Sequence, residues 1–155
     1  MKRSTSGLLF AAGSTLAAAA IGSVGSRRSP QVYRQLRKPD WAPPAGVFGP
    51  VWSALYAAIG VAGWRLWTRR AGRVAVGLHA GQLALNASWP LAFFVVREKK
   101  LSLAVVAALD AAIAAEIAAV APRDRAAAGL LAPYLAWSLY ATALTAAVSD
   151  PGAES

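Results

Sequence analysis

"KPDWAPPAGVFGPVWSALY", residues 38–56, begins charged and ends apolar, and crowds four prolines, two tryptophans, a phenylalanine and a tyrosine into nineteen residues. From Trp41 to Trp64 the chain carries no Asp, Glu, Lys or Arg. A helix needs roughly 20 apolar residues to cross a hydrocarbon core, so this stretch is long enough to span. Ser4 to Ser26, Val74 to Val96 and Ala126 to Ser149 are also uncharged, and Leu101 to Pro122 holds only Asp110 and Glu116. The pattern predicts an all-α integral membrane bundle of five transmembrane helices, over about 5–26, 46–68, 73–96, 101–122 and 126–149.

Composition agrees. The chain has 155 residues, 57% of them hydrophobic, and one domain over 1–155 is the expectation at this length. A soluble domain of this size buries only about two-thirds of its unfolded surface, too little to hide so much apolar area. The net charge of +9 is not read as a nucleic-acid footprint. The Lys and Arg residues sit at the span ends, where their side chains meet headgroups, and no basic groove or RNA-binding signature accompanies them. With no cysteine, disulfide and thiolate chemistry are excluded. The first span starts with Lys2 and Arg3 like a signal peptide, but its apolar region of about twenty residues exceeds a signal core of 7–15. It is read as a retained span.

Orientation stays open. Lys2, Arg3, Arg65, Arg69, Arg70, Arg73, Arg123 and Arg125 share one side of a five-span chain. Arg27, Arg28, Arg34, Arg37, Lys38, Arg97, Lys99 and Lys100 share the other, so the positive-inside rule gives no answer.

The connections differ in length. Three are short, which makes neighbouring helices antiparallel. The first, residues 27–45, is long and holds Pro30, Pro39, Pro43 and Pro44 around Tyr33 and Trp41. Proline fixes its own φ and restricts the residue before it, so a folded cap is expected there rather than a tether. Membership of an interfacial aromatic belt explains Tyr33 and Trp41 equally well.

Aromatic side chains recur at helical spacing in three spans. Phe48, Trp52 and Tyr56 follow at i, i+4, i+8. Asn86, Trp89 and Phe93 do so in the third span, and Tyr134, Trp137 and Ala141 in the fifth. Converging, these stripes form a flat-walled apolar slot beneath the first loop. Pro90 cannot donate to the Asn86 carbonyl, so a freed acceptor and a side-chain amide lie at one level, open to a helix–helix bond or to a ligand. Gly77 and Gly81 form a GxxxG pair suited to close helix approach, within the chain or across a homodimer. His79, with no Cys and no second His, is a poor metal ligand, and no metal is expected. Asp110 and Glu116 are six residues apart and do not share a helix face. Glu116, about a turn and a half from the end of its span at Pro122, could reach the interface.

"LRKPDWAPPAGVFGPVWSALYAAIG" (36–60), "GQLALNASWPLAFF" (81–94) and "APYLAWSLYATAL" (132–144) together resemble the signature blocks of the TspO/MBR family, in order and over essentially the whole chain. That family comprises the tryptophan-rich sensory proteins of bacteria and the translocator protein, or peripheral benzodiazepine receptor, of mitochondria. The resemblance implies a five-helix bundle, often a homodimer, whose first loop closes a pocket for porphyrins such as protoporphyrin IX. Some members bind cholesterol or benzodiazepine-type drugs, and some bacterial ones degrade protoporphyrin in light.

By motif position the family's pocket falls on Trp41, Phe48, Trp52, Tyr56, Asn86, Trp89, Phe93, Tyr134, Trp137 and Ala141. The two tryptophans tied to degradation fall on Trp52 and Trp137. Ala87 and Thr145 stand where relatives more often carry Trp and Asn. No basic residue follows Tyr140, so sterol recognition there is not expected. Stacking suits a tetrapyrrole disc, and Arg37 and Lys38 lie where its carboxylates would emerge. No further cofactor is implied. Three function classes stay open: porphyrin binding that tunes tetrapyrrole metabolism, light- and oxygen-dependent porphyrin degradation, and transport of such ligands. The implied location is a multi-pass protein of a bacterial cell membrane.

Overall fold

The computed structural model describes residues 2–149, and every regular element among them is helical. α1 (Lys2–Gly25), α3 (Phe48–Thr68), α4 (Arg73–Pro90), α5 (Lys99–Val120) and α6 (Arg125–Ala147) are long, and α2 (Ser29–Gln35) is short. The long helices close into a ring: α1 packs on α3 and α4, α4 on α5, α5 on α6, and α6 on α3. Four stretches are long and apolar enough to cross a membrane, namely Lys2–Gly25, Ala45–Thr68, Lys99–Val120 and Arg125–Ala147.

The third predicted span falls outside that set for a physical reason. α4 spends its inward face on polar side chains, with His79, Gln82 and Asn86 all buried. Its outward face is built from Val74, Gly77, Gly81, Ala84 and Ser88, which are exposed. The apolar count is therefore low although the helix is a member of the ring. Elsewhere Leu8, Leu9, Leu16, Ile21, Val61 and Leu139 point outward, the reverse of a water-soluble fold and what a hydrocarbon solvent requires.

Local sequence explains the ends. Glu98 caps α5 by accepting from the Lys100 and Leu101 N–H groups. Asp124 caps α6 by accepting from Ala126 N and Ala127 N, each at 3.1 Å. Side-chain acceptors of this kind satisfy orphan N–H groups at a helix start. Gly72, at φ +99°, makes the turn into α4, a conformation open to glycine at little cost. Pro90 ends the α-helical run of α4, and Leu91–Val96 continue as a π turn. Lacking its N–H, proline interrupts the i→i−4 ladder, and the helix resumes in a wider register.

The long first connection is a folded cap. Pro30 sits in the first turn of α2, where its missing N–H is not needed. The Tyr33 hydroxyl donates to Pro43 O at 2.6 Å, and burial pushes its phenol above the ordinary value, with the nearby Tyr140 adding to the shift. The Tyr140 hydroxyl donates to Trp41 O at 2.8 Å. Arg37 and Ser149 exchange backbone hydrogen bonds at 2.9 and 3.1 Å. Tyr33 and Leu36 bury against Leu144 and Val148, so the cap is fastened to the end of α6.

Candidate ligand-binding site

Beneath the cap lies a largely apolar cavity of about 490 Å³, within the range of small-molecule sites. α3 contributes Phe48, Trp52 and Tyr56 to its wall, α4 contributes Asn86, Trp89 and Pro90, and the π turn contributes Phe93 and Phe94. Trp89 and Phe93 stack with centroids 5.0 Å apart and planes 15° apart, forming one flat wall. Ala141, Leu144 and Thr145 of α6 line another side, and Tyr33 and Pro30 of the cap lie above. The π turn brings Phe93 and Phe94 both to the wall, at an angle of 85° to each other.

Most residues singled out in the sequence lie on this cavity: Phe48, Trp52, Tyr56, Asn86, Trp89, Phe93 and Ala141. Three do not line it. Tyr134 is fully buried behind Asn86. Trp137 packs edge-on against Phe48, with ring centroids 5.9 Å apart. Trp41 is half exposed on the cap and packs against Tyr140 at 5.6 Å. Arg37 and Lys38 are also outside the lining. The Lys38 ammonium donates to Tyr33 O at 2.6 Å and Leu36 O at 3.1 Å and lies over the Tyr33 ring, so it braces the cap. Gly77 and Gly81 face outward with nothing of this chain within 4 Å of an added Cβ, so they pack no internal helix pair.

Below the cavity floor a polar column continues into the bundle. Tyr56 Oη donates to Asn86 Oδ1 at 2.7 Å. Asn86 Nδ2 donates to Tyr134 Oη at 2.9 Å. Tyr134 Oη donates to Gln82 Oε1 at 2.8 Å. One turn further, His79 Nδ1 meets Glu116 Oε1 at 2.6 Å, both side chains fully buried. Glu116 thus does not reach the interface as its position near the span end implied. α5 turns it inward, and the imidazole takes its carboxylate. Asp110 serves α5–α6 contact, accepting from Ser138 Oγ at 2.5 Å and Thr142 Oγ1 at 2.6 Å.

His79 and Gln82 were not placed in the site from sequence; the signal that could have found them is their spacing from Asn86, at i, i+3 and i+7 on α4. The lining residues Gly22 and Ser23 of α1 carry no such signal, because small residues recur all along that helix. Among the described residues no cluster of metal-ligating side chains is present.

Comparison with known proteins fits this architecture. The TspO/MBR family model matches residues 10–149. The chain belongs to the TspO/MBR family. It is similar to the translocator protein of Homo sapiens, 40% identical over 143 residues that cover 86% of this chain and 85% of the relative. The tryptophan-rich protein TspO of Archaeoglobus fulgidus is 35% identical over 142 residues, 87% of this chain and 92% of the relative. The tryptophan-rich sensory protein of Cereibacter sphaeroides is 36% identical over 112 residues, 72% and 71% of the two chains. With its outward-facing apolar helices, this TspO/MBR chain is a multi-pass membrane protein.

Proposed function

We propose that this TspO/MBR protein binds porphyrins of the protoporphyrin IX type in the capped aromatic cavity, and through that binding regulates tetrapyrrole metabolism or a stress response. α4 completes a five-span topology in this reading, with its polar face inward, and the membrane is a bacterial cell membrane. One observation carries the proposal. The cavity has a flat stacked wall, Trp89 on Phe93, facing further aromatic lining from Phe48 and Trp52. Aromatic faces reward a rigid disc with about 0.5–1.5 kcal/mol per pair beyond area burial. Arg37 and Lys38 would act on porphyrin carboxylates through their field, at the cap. The outward Gly77 and Gly81 face is the seam a second copy would use.

Light-dependent degradation is the second reading, favoured by Trp52 lying on the cavity wall. Trp137, outside the lining but in edge-on contact with Phe48, would act in it through Phe48.

Titration of the purified protein with protoporphyrin IX, in the dark and then in light, tests both. Quenching of tryptophan fluorescence is expected in the dark. Trp52→Ala and Trp89→Ala should each weaken it about tenfold, and Trp137→Ala less. Stable porphyrin absorbance under illumination supports binding alone, whereas a new tetrapyrrole band supports degradation. Undiminished quenching in a Trp52→Ala/Trp89→Ala double variant would remove the ligand from this cavity.

A further inference from the structure

At the end of the bundle away from the cap, α1, α3 and α4 meet around an open recess of about 680 Å³, within the range of small-molecule sites. Arg3 reaches it from the start of α1, Arg70 from the turn after α3, and Arg73 from the start of α4. Leu66 and Ala71, both buried, and the half-buried Val76 give it an apolar floor. Trp67 is a fixed wall, since its ring stacks on Phe10 at 4.8 Å and its indole N–H donates to Ser6 Oγ at 3.1 Å.

Among the described residues no acid lines the recess, and none pairs with Arg3, Arg70 or Arg73. Asp124, the acid at this end, is taken by Arg65 and Arg69. Three guanidiniums gathered without a counter-ion repel one another. Arg3 donates to Trp67 O at 3.5 Å, which leaves most of its five donors unused.

The turn puts charge where the backbone asks for glycine. α3 closes with Arg70 N–H donating to Trp67 O at 3.4 Å and Ala71 N–H donating to Leu66 O at 3.0 Å, the paired bonds of a Schellman ending. The left-handed residue of that ending is usually glycine, yet here it is Arg70, at φ +54°. A side chain works against that conformation. Two residues on, Gly72 opens α4 with no side-chain cap, so the orphan amides of that helix start lie beside the arginines.

The apolar span of α3 ends at Thr68, two residues before Arg70, which sets the recess at headgroup depth. We infer that it is a binding site for an anionic phospholipid, whose phosphate Arg3, Arg70 and Arg73 hold while Leu66, Trp67 and Val76 pack against the start of its acyl chains. Guanidinium forks match phosphate oxygens, and basic pockets between spans take acidic headgroups. Snorkelling alone does not require three elements to aim their arginines at one apolar recess. The site is separate from the capped cavity and independent of what that cavity binds.

Titration of the delipidated full-length protein in neutral detergent with dioleoylphosphatidylglycerol, read by native mass spectrometry, tests it. One such lipid should bind more tightly than dioleoylphosphatidylcholine. Arg73→Gln and Arg70→Gly should each weaken phosphatidylglycerol about fivefold, the weight of one basic side chain near an anionic surface. Arg70→Gly also relaxes the turn, so its melting temperature without lipid should hold or rise while affinity falls, a split that damage to the fold cannot produce. Arg123→Gln removes the same charge at the same end but outside the recess, and should leave affinity nearly unchanged.

Equal loss in Arg123→Gln would reveal a diffuse basic belt and overturns the inference. So does equal affinity of wild type for the two lipids, or undiminished phosphatidylglycerol binding in Arg73→Gln and Arg70→Gly. Inorganic phosphate supplies the other source of the same chemistry. Binding of that ion as tight as that of the lipid would assign the recess to a soluble anion, and overturns the inference as well.

Discussion

Gly63 marks the closest approach of α3 to the buried imidazole. A Cβ added there would lie 2.6 Å from His79 Nε2, with the other ring atoms at 3.1 and 3.3 Å. Imidazole cannot yield by bending, and Glu116 behind it holds Nδ1 in place. Gly63→Ala should therefore cost roughly 1–3 kcal/mol, the range for overpacking a filled core. A lower melting temperature in detergent, with retained helical circular dichroism, is the expected reading, and an unchanged melt would mean that the helices part freely at that level. The sequence announces little of this. Gly63 is one of several small residues along a span, and His79 alone gave no pairing. Only contact across three helices reveals that the glycine, the histidine and Glu116 form one unit. By contrast Trp52 and Trp89 were legible because helical spacing puts each on the aromatic face of its own helix, and the fold needed only to turn those faces together.

At the scale of the element, the π turn after Pro90 decides how the cavity wall is made. Its wider register carries Phe93 against Trp89 at 5.0 Å while Phe94 meets the same indole edge-on at 5.8 Å. Pro90→Ala restores an N–H that can bond the Asn86 carbonyl, and so favours an α-helical continuation. The aromatic pair would then rotate relative to Trp89. Affinity for protoporphyrin IX is expected to drop several-fold in that variant while thermal stability holds or rises, since an interior proline is itself unfavourable by about 3 kcal/mol. Equal affinity in Pro90→Ala would show that the wall does not depend on the wide turn. The proline could be read from sequence as a source of freed backbone polarity. The conversion to a π turn could not, because it depends on how α5 and the cap pack around residues 91–96. The cap itself was half legible. Its prolines foretold rigidity, whereas helix α2 and the Arg37–Ser149 pairing depend on a partner more than one hundred residues away.

Across the whole molecule, the two ends of the bundle are built differently, and their response to acid should differ too. The cap end is closed by backbone pairing and by tyrosine hydroxyls. The opposite end is fastened by Asp124, which takes Arg65 through two bonds of 2.9 Å and Arg69 at 3.4 Å while capping α6. Hydrogen bonding from Arg65 holds the Asp124 carboxyl below its ordinary value of 3.8, with help from Ala127 N–H and the two arginine charges and against the opposing effect of burial. A carboxyl whose folded value is lowered contributes stability that is present above the unfolded value and lost as pH falls through the folded one. Melting temperatures of wild type and Asp124→Asn in detergent should therefore be furthest apart above about pH 4, near the unfolded carboxylate value, with wild type higher. The gap should close as the pH is lowered further. Asparagine keeps a capping oxygen, so the comparison isolates the ionised clamp between α3 and α6 from the cap of α6. A gap that stays constant from neutral pH to pH 2 would mean that charge at this end contributes nothing, and that the ring of helices is held there by the Leu66, Ala71, Ala75 and Val120 core alone.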